Sequence, residues 1–146
     1  MPNLAALLIS LALSLSLVVG GLHTFTKYHG TLEARTTLRK LDYTISLAKS
    51  IALTSHEELM ICPRQGGQWS KGWQIQTARG KILKTIHAHV YALIHFKAYP
   101  AGSLCIKVLP TGMSYNNGHF TYRSRSLLYT VQRNLFFNQG LRTYYD

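Results

Sequence analysis

Four interior carboxylates, Glu33, Asp42, Glu57 and Glu58, are nearly all that this 146-residue sequence offers for acid–base chemistry, the fifth acid being Asp146. They fall on or just after one helical pattern, and no two are spaced as a hydrolytic pair. Histidines come closest to a metal set: His87 and His89 alternate, so they would share one face of a strand, and His95 follows nearby. No Asp, Glu or vicinal Cys completes that set, so the better reading is exposed strand histidines on a basic surface, with no metal or cofactor. Cys62 and Cys105 lack the C-x-x-C spacing of zinc or redox sites. A structural bridge and two buried free thiols both remain open; in an oxidising compartment a bridge would close a loop of about 44 residues and contribute about 4 kcal/mol in the chain-entropy account. With no converging titratable groups, an enzyme is not expected.

Charge points to another kind of work. Lys and Arg total 16 against five acids, a net charge of +11. Between Leu59 and Tyr145 there is no acid at all, while eleven Lys or Arg residues lie there; residues 27–58 hold five basic groups against four acidic ones. Such a surface attracts polyanions by counterion release, or anionic lipid and acidic protein by Coulomb attraction. Residues 115–145 interleave Arg123, Arg125, Arg133 and Arg142 with Tyr115, Tyr122, Tyr129, Phe136, Phe137 and Tyr144. Guanidinium groups can bind phosphate bidentately and rings can stack on bases. The competing reading is that alternate aromatics are sheet core and the arginines its solvated face.

Two helical stretches and a set of strands must position these groups. From Leu4 to Leu22 the chain carries no charge, and 19 helical residues reach about 28 Å, close to the hydrocarbon thickness of a bilayer. Ser10, Ser14 and Ser16 can bond back to the preceding turn, so they do not oppose insertion. A cleaved signal peptide fits less well, since no basic residue precedes the apolar run and no A-x-A site follows. Gly20 and Gly21 are expected to loosen or bend the helix. From Thr31 a second pattern begins: Ala34, Leu38, Leu41, Ile45, Ala48 and Ala52 recur at spacings of four and three, with Arg35, Arg39, Lys40, Asp42 and Lys49 mostly turned away, ending near Ser55. This stripe is expected to pack on the chain's own sheet.

Beyond His56 short apolar runs are punctuated by Gly and Pro. The expected strands are 59–62, 73–77, 82–90, 92–97, 104–109, 119–123, 127–131 and 135–137, with Asn116-Asn117-Gly118 as a hairpin turn. The resulting class is α+β: a long N-terminal helix, half transmembrane and half amphipathic, packed on an antiparallel sheet. Residues 1–30 would form the transmembrane stalk and 31–146 one globular domain, with the amphipathic helix at 31–55 and the β-rich part at 58–146.

The order of several segments resembles the minor pilins and pseudopilins of the FimT/GspH type, of type IV pilus and type II secretion systems. LDYTISLAKSIALTSHEELMICP is similar to that family's helix end entering its first strand, and WSKGW to its Trp-x-x-Gly-Trp segment. VLPTGMSYNNGHFTY resembles its strand, Pro-x-Gly turn and Asn-Gly-x-Phe hairpin, and FFNQGLRTY its closing strand. The resemblance implies a type IV pilin-like fold and a non-enzymatic subunit. It would be held in the bacterial inner membrane as a single-pass protein before assembly, then packed against other pilins through its N-terminal helix. Some members bind DNA with a basic C-terminal Gly-Arg-x-Arg; the matching residues here are Gly140, Leu141, Arg142 and Thr143, so Arg142 falls between the two arginine positions. A pilus-tip receptor for double-stranded DNA, bound without sequence preference in natural transformation, is therefore the alternative function.

Aligning LAALL with the family's N-terminal segment puts Ala6 where the family carries a Glu, which is expected to pair with a neighbouring subunit's amine inside the filament. Either the true start lies upstream of Met1 or the subunit caps the tip, where no preceding subunit demands that pair. The positive-inside rule, counting Lys27, Arg35, Arg39 and Lys40 after the apolar run, predicts a cytoplasmic domain. The resemblance implies the opposite, a domain in the periplasm or exposed on a pilus.

Overall fold

The computed structural model describes residues 3–88, 91–125 and 129–146. Helix α1 runs without interruption over Leu4–Ser55, 52 residues, and ends at His56 in the left-handed conformation. The two helical stretches separated by a loosened Gly20-Gly21 are thus one helix. Glycine costs only about 1 kcal/mol per position in a helix, too little to break a ladder that the flanking leucines extend on both sides.

Eight strands follow: β1 (Leu59–Pro63), β2 (Trp73–Thr77), β3 (Ile82–Ile86), β4 (Leu93–Tyr99), β5 (Ile106–Val108), β6 (Asn117–Arg125), β7 (Thr130–Phe137) and β8 (Thr143–Tyr145). They form two antiparallel four-stranded sheets, in the orders β3-β2-β1-β5 and β4-β6-β7-β8. The second half of α1 lies across both, touching β1 and β5 of the first sheet and β6 and β7 of the second. Its buried face is the expected stripe, with Gly30, Thr37 and Thr44 added.

Several expectations need correction. The third strand stops at Ile86, so His87 lies beyond it; positions 89–90 and 127–128, expected in strands, fall outside the described residues. Residues 130–131 and 135–137, expected in two separate strands, belong to one strand, β7, and β8 was not among the strands expected from the apolar runs. Asn117 and Gly118 are not a hairpin turn: they begin β6, paired with Tyr99 and Ala98. Gly118 serves close approach instead, since a Cβ there would lie 2.8 Å from both the Lys97 carbonyl oxygen and the Phe137 ring. The chain reverses earlier, where the Gly112 N–H donates to the Leu109 carbonyl and Gly112 takes a positive φ of 74°.

Trp69 and Trp73 fill the space where the sheets and the helix meet. Trp69 sits 4.7 Å edge-on to Phe120, 5.4 Å from Phe96 and 6.3 Å from Trp73. Gly72 makes this possible: its φ is 103°, and a Cβ would stand 2.4 Å from the Ile86 carbonyl oxygen. The Trp73 indole N–H donates to Thr44 Oγ1 (2.9 Å), and the Thr44 hydroxyl donates to the Lys40 carbonyl (2.7 Å), so both buried polar groups are satisfied.

The last strand is fastened to the helix. Thr143 donates to Asp42 Oδ1 (2.5 Å), the Tyr145 hydroxyl donates to Asp42 Oδ2 (3.0 Å), and Lys49 Nζ donates to the Gly140 carbonyl (2.9 Å). Burial and the hydrogen bond to Asp42 push the Tyr145 pKa up to about 12. Cys62 and Cys105, left open by the sequence, are joined by a disulfide with Cα atoms 4.5 Å apart, which ties β1 to the segment entering β5. Among the described residues, Tyr122 carries the one buried side-chain polar atom without a hydrogen-bond partner. Glu33 and Ser124 lie near that hydroxyl without hydrogen-bond geometry, and burial, with the Glu33 charge, raises its pKa.

Asp42→Ala should therefore lower stability by about 1–3 kcal/mol by freeing β8, read as a lower melting temperature of the full chain in detergent. A tyrosine pKa raised by folding stabilises fully below the ordinary value of about 10 and is lost as pH climbs through the folded value of about 12. Denaturation midpoints between pH 9 and 12 should fall less steeply in Tyr145→Phe than in the parent. Tyr122→Phe should leave the midpoint unchanged or raise it, because it deletes an unsatisfied hydroxyl; a loss above about 1 kcal/mol would show that the hydroxyl is bonded after all.

Candidate functional site

Among the described residues nothing packs against the first half of α1 from Leu4 to Leu22. Side chains from Leu4 to Leu22 are exposed on every side of the helix, with Leu4, Leu11, Leu15 and Leu17 each at least 66% accessible. A helix apolar all round is built for burial elsewhere, and this one is long and apolar enough to cross a membrane. Ser10, Ser14 and Ser16 donate to the Leu7, Leu11 and Leu13 carbonyls at 2.8–2.9 Å, so their hydroxyls are satisfied without a partner. Ser16, Gly20 and Thr24 lie at i, i+4 and i+8, and line a shallow concavity with Leu17, Phe25 and Tyr28. Nothing within 4 Å occupies the place of a Cβ on Gly20 or Gly21. Small residues in such a row let a second helix backbone approach closely.

The four candidate arginines do not form one patch. Arg123 and Arg125 alternate along β6 on the face turned away from α1, about 7 Å apart by strand geometry. Arg123 donates through Nε and Nη2 to Gln132 Oε1 (3.2 and 2.9 Å). Arg133 lies on the opposite side, in phase with the buried Val131, Leu135 and Phe137, and reaches the flank of the helix beside Arg35 and Arg39. Arg142 sits in the loop between β7 and β8, its backbone N–H bonded to Asn138 Oδ1.

The aromatics divide in the same way. Tyr122 and Phe137 are core, and Tyr129 is half-buried against Gly30, where a Cβ would meet its ring at 3.0 Å. On the outer face, Tyr99, His119, Phe136 and Tyr144 form a stack across β4, β6, β7 and β8, with centroids 6.2, 5.3 and 5.4 Å apart. Lys97 Nζ stands 5.2 Å from the Tyr99 ring. Burial and the neighbouring Lys97 charge hold the His119 pKa below its usual value. The two middle rings cover one another, so bases could stack only at the ends of the row. Sequence alternation separates inner from outer rings, but only cross-strand register reveals this stack.

For metals the arrangement is dispersed. His87 is exposed and hydrogen-bonded to Arg64 (2.7 Å), His95 lies on the outer face of β4 opposite Thr121, and His89 falls outside the described residues. No group of three His, Cys, Asp or Glu among the described residues could hold a metal ion.

The family of the type II transport protein GspH matches residues 37–135. That span runs from the buried half of α1 through most of β7, and so includes Thr44, both tryptophans and the disulfide. No curated protein matches the sequence. In structure the chain is similar to the type IV minor pilin FimU of Pseudomonas aeruginosa PAO1 in two crystal forms. One gives a TM-score of 0.59 at 18% identity, over 77% of this chain and 87% of that one; the other gives 0.57 at 17%, over 77% and 91%. Identity that low carries the fold alone, which the long helix and the antiparallel sheets share. The family match covers more than half of the sequence, and the chain belongs to the GspH family of type II transport proteins, with the fold of a type IV minor pilin.

Proposed function

We propose that the chain is a non-enzymatic subunit of a type IV pilus or a type II secretion pseudopilus, anchored in the inner membrane by Leu4–Leu22 and packed by that same helix against other pilins on assembly. The carrying observation is the bare, apolar first half of α1 with its row of Ser16, Gly20 and Thr24. The globular part then stands in the periplasm or on the filament surface. The Cys62–Cys105 disulfide favours that side over the cytoplasmic one predicted from charge, because such bridges persist where the compartment is oxidising. Residues 1–30 act as the stalk and the rest as the displayed domain, although a single helix joins them.

A second activity, capture of double-stranded DNA without sequence preference, is favoured by Arg123 and Arg125 lying side by side on the outer face of the second sheet, with Lys97 on the same face. Phosphate contact is what this face offers, since the ring stack beside it is largely turned in on itself. Arg133 lies on the opposite face and Arg142 in the loop between β7 and β8, and both take a smaller part.

Leu13→Arg, which puts a charge at mid-bilayer depth, should abolish incorporation into filaments while leaving the detergent-solubilised melting temperature unchanged; normal incorporation would overturn the assembly role. Protease added to spheroplasts should digest the domain and spare the anchor, and full protection would reverse the orientation. In DNA titrations at several salt concentrations, Arg123→Glu with Arg125→Glu should remove binding and flatten its salt dependence. Arg133→Glu should change it little. Retained DNA binding in the double variant would remove this second activity without touching the first.

A further inference from the structure

Strand β7 climbs alongside the helix in the same direction. Tyr129, just before β7, packs on Gly30; Arg133 lies beside Arg35 and Arg39; and the Gly140 carbonyl, past the end of β7, meets Lys49. Strand β6 runs the other way, so Arg125, opposite Thr130, lies at the end of the sheet nearest the anchor. Strand β4 turns back again and starts at that end, with Leu93 opposite Arg123. Ala88 shares a cleft with His29 and Leu32, which brings the chain approaching β4 to the same place. Gly30 stands eight residues beyond Leu22, about 12 Å along the helix. Between them Phe25 and Tyr28 are exposed rings of the kind that sit at headgroup level. This end of the second sheet therefore stands just above the bilayer surface that the apolar run defines.

We propose that this end of the domain rests on the anionic phospholipid headgroups of the anchor's own bilayer, an inference that depends on the membrane reading of Leu4–Leu22. Its surface has the mixture that suits an interface. Tyr91 is fully exposed, Leu93 is 60% exposed, and Arg123 and Arg125 are exposed at the same end. Apolar side chains enter the boundary between headgroups and acyl chains, while guanidinium groups stay at phosphate depth. The charge agrees in sign: residues 27–35, 86–93 and 121–130 hold Lys27, Arg35, Arg123 and Arg125 against one acid, Glu33, which lies beside the buried Tyr122 hydroxyl. The C-terminal carboxylates are higher up, where the Asp146 N–H meets the Asn134 carbonyl. An acidic protein would satisfy the charge equally, but only the bilayer is held at this distance by the chain itself. The headgroup layer is about 5–8 Å deep, and the few ångströms left are closed by the arginine side chains and by the ordinary tilt of about 20° of a spanning helix. Arg123 and Arg125 also carry the DNA reading, so membrane and DNA exclude one another on this face.

The test uses the full chain reconstituted in vesicles, with an environment-sensitive dye on Tyr91→Cys, the native cysteines being joined in their disulfide. A second chain carries the dye on Ala101→Cys, in the turn after β4 at the far end of the sheet. Each arginine near an anionic surface favours contact about five-fold, so replacing neutral phosphatidylcholine by a mixture with anionic phosphatidylglycerol should raise the ratio of docked to free domain about thirty-fold. The dye at position 91 should then shift to the blue and brighten, and concentrated salt should reverse the change. Arg123→Gln with Arg125→Gln should abolish it, and the dye at position 101 should not respond. Should the double variant fail to fold, Arg125→Gln alone is expected to lose about five-fold. Flotation with neutral vesicles reads the anchor separately. A chain that floats, but whose dye at position 91 ignores lipid charge, keeps its shift in the arginine variants or is matched at position 101, overturns the surface contact alone. A chain that does not float overturns the anchor as well.

Discussion

Burying a helix stripe against a sheet is non-directional: apolar contact fixes which face turns inward but lets the helix slide or rotate by a fraction of a turn. In this chain that freedom is removed by hydrogen bonds between α1 and the strands. The Trp73 indole on Thr44, the two hydroxyls on Asp42 and the Lys49 ammonium on the Gly140 carbonyl each demand one setting of the helix. The rest follows from that setting. It directs Ala34, Leu38, Leu41, Ile45, Ala48 and Ala52 into the core, holds the two sheets against one helix, and aims the bare first half of α1 away from the domain.

Much of this was legible in the residues. The spacing of the stripe gave the buried face of the helix, because 3.6 residues per turn leaves little choice once six apolar positions recur. WSKGW marked a place where two large rings flank a glycine, and the structure supplies the reason: Gly72 passes under the Ile86 carbonyl with no room for a side chain. The strands expected in the first sheet agree with the observed ones to within a few residues, and β2 spans Trp73–Thr77 as expected.

What escaped was decided by distant partners. Asn117 and Gly118 have strong turn chemistry, yet pairing along β4 and β7, and the Phe137 ring lying over Gly118, hold them extended. Three residues of β8 carry too weak a local signal, and their stability comes from Asp42, about 100 positions earlier in the chain. The arginines looked like one cationic cluster because sequence proximity says nothing about which side of a sheet a side chain takes. Register does: Arg123 pairs with Gln132 and Arg133 with Tyr122, so the two arginines lie on opposite faces.

The same bonds between helix and strands have a mechanical meaning. Asp42, Thr44 and Lys49 span seven steps of α1, about 10 Å along its axis, and each grips a different piece of the β structure. A pull along the helix loads these grips side by side in shear, so they must yield together, whereas a pull that peeled the last strand outward would break the Asp42 and Lys49 grips one at a time and leave Thr44 holding Trp73. The disulfide lies off that line, linking β1 to the entry of β5, and keeps the first sheet closed even while the helix is under tension. A thread that must bear load along its length is well served by a domain joined to it in this way.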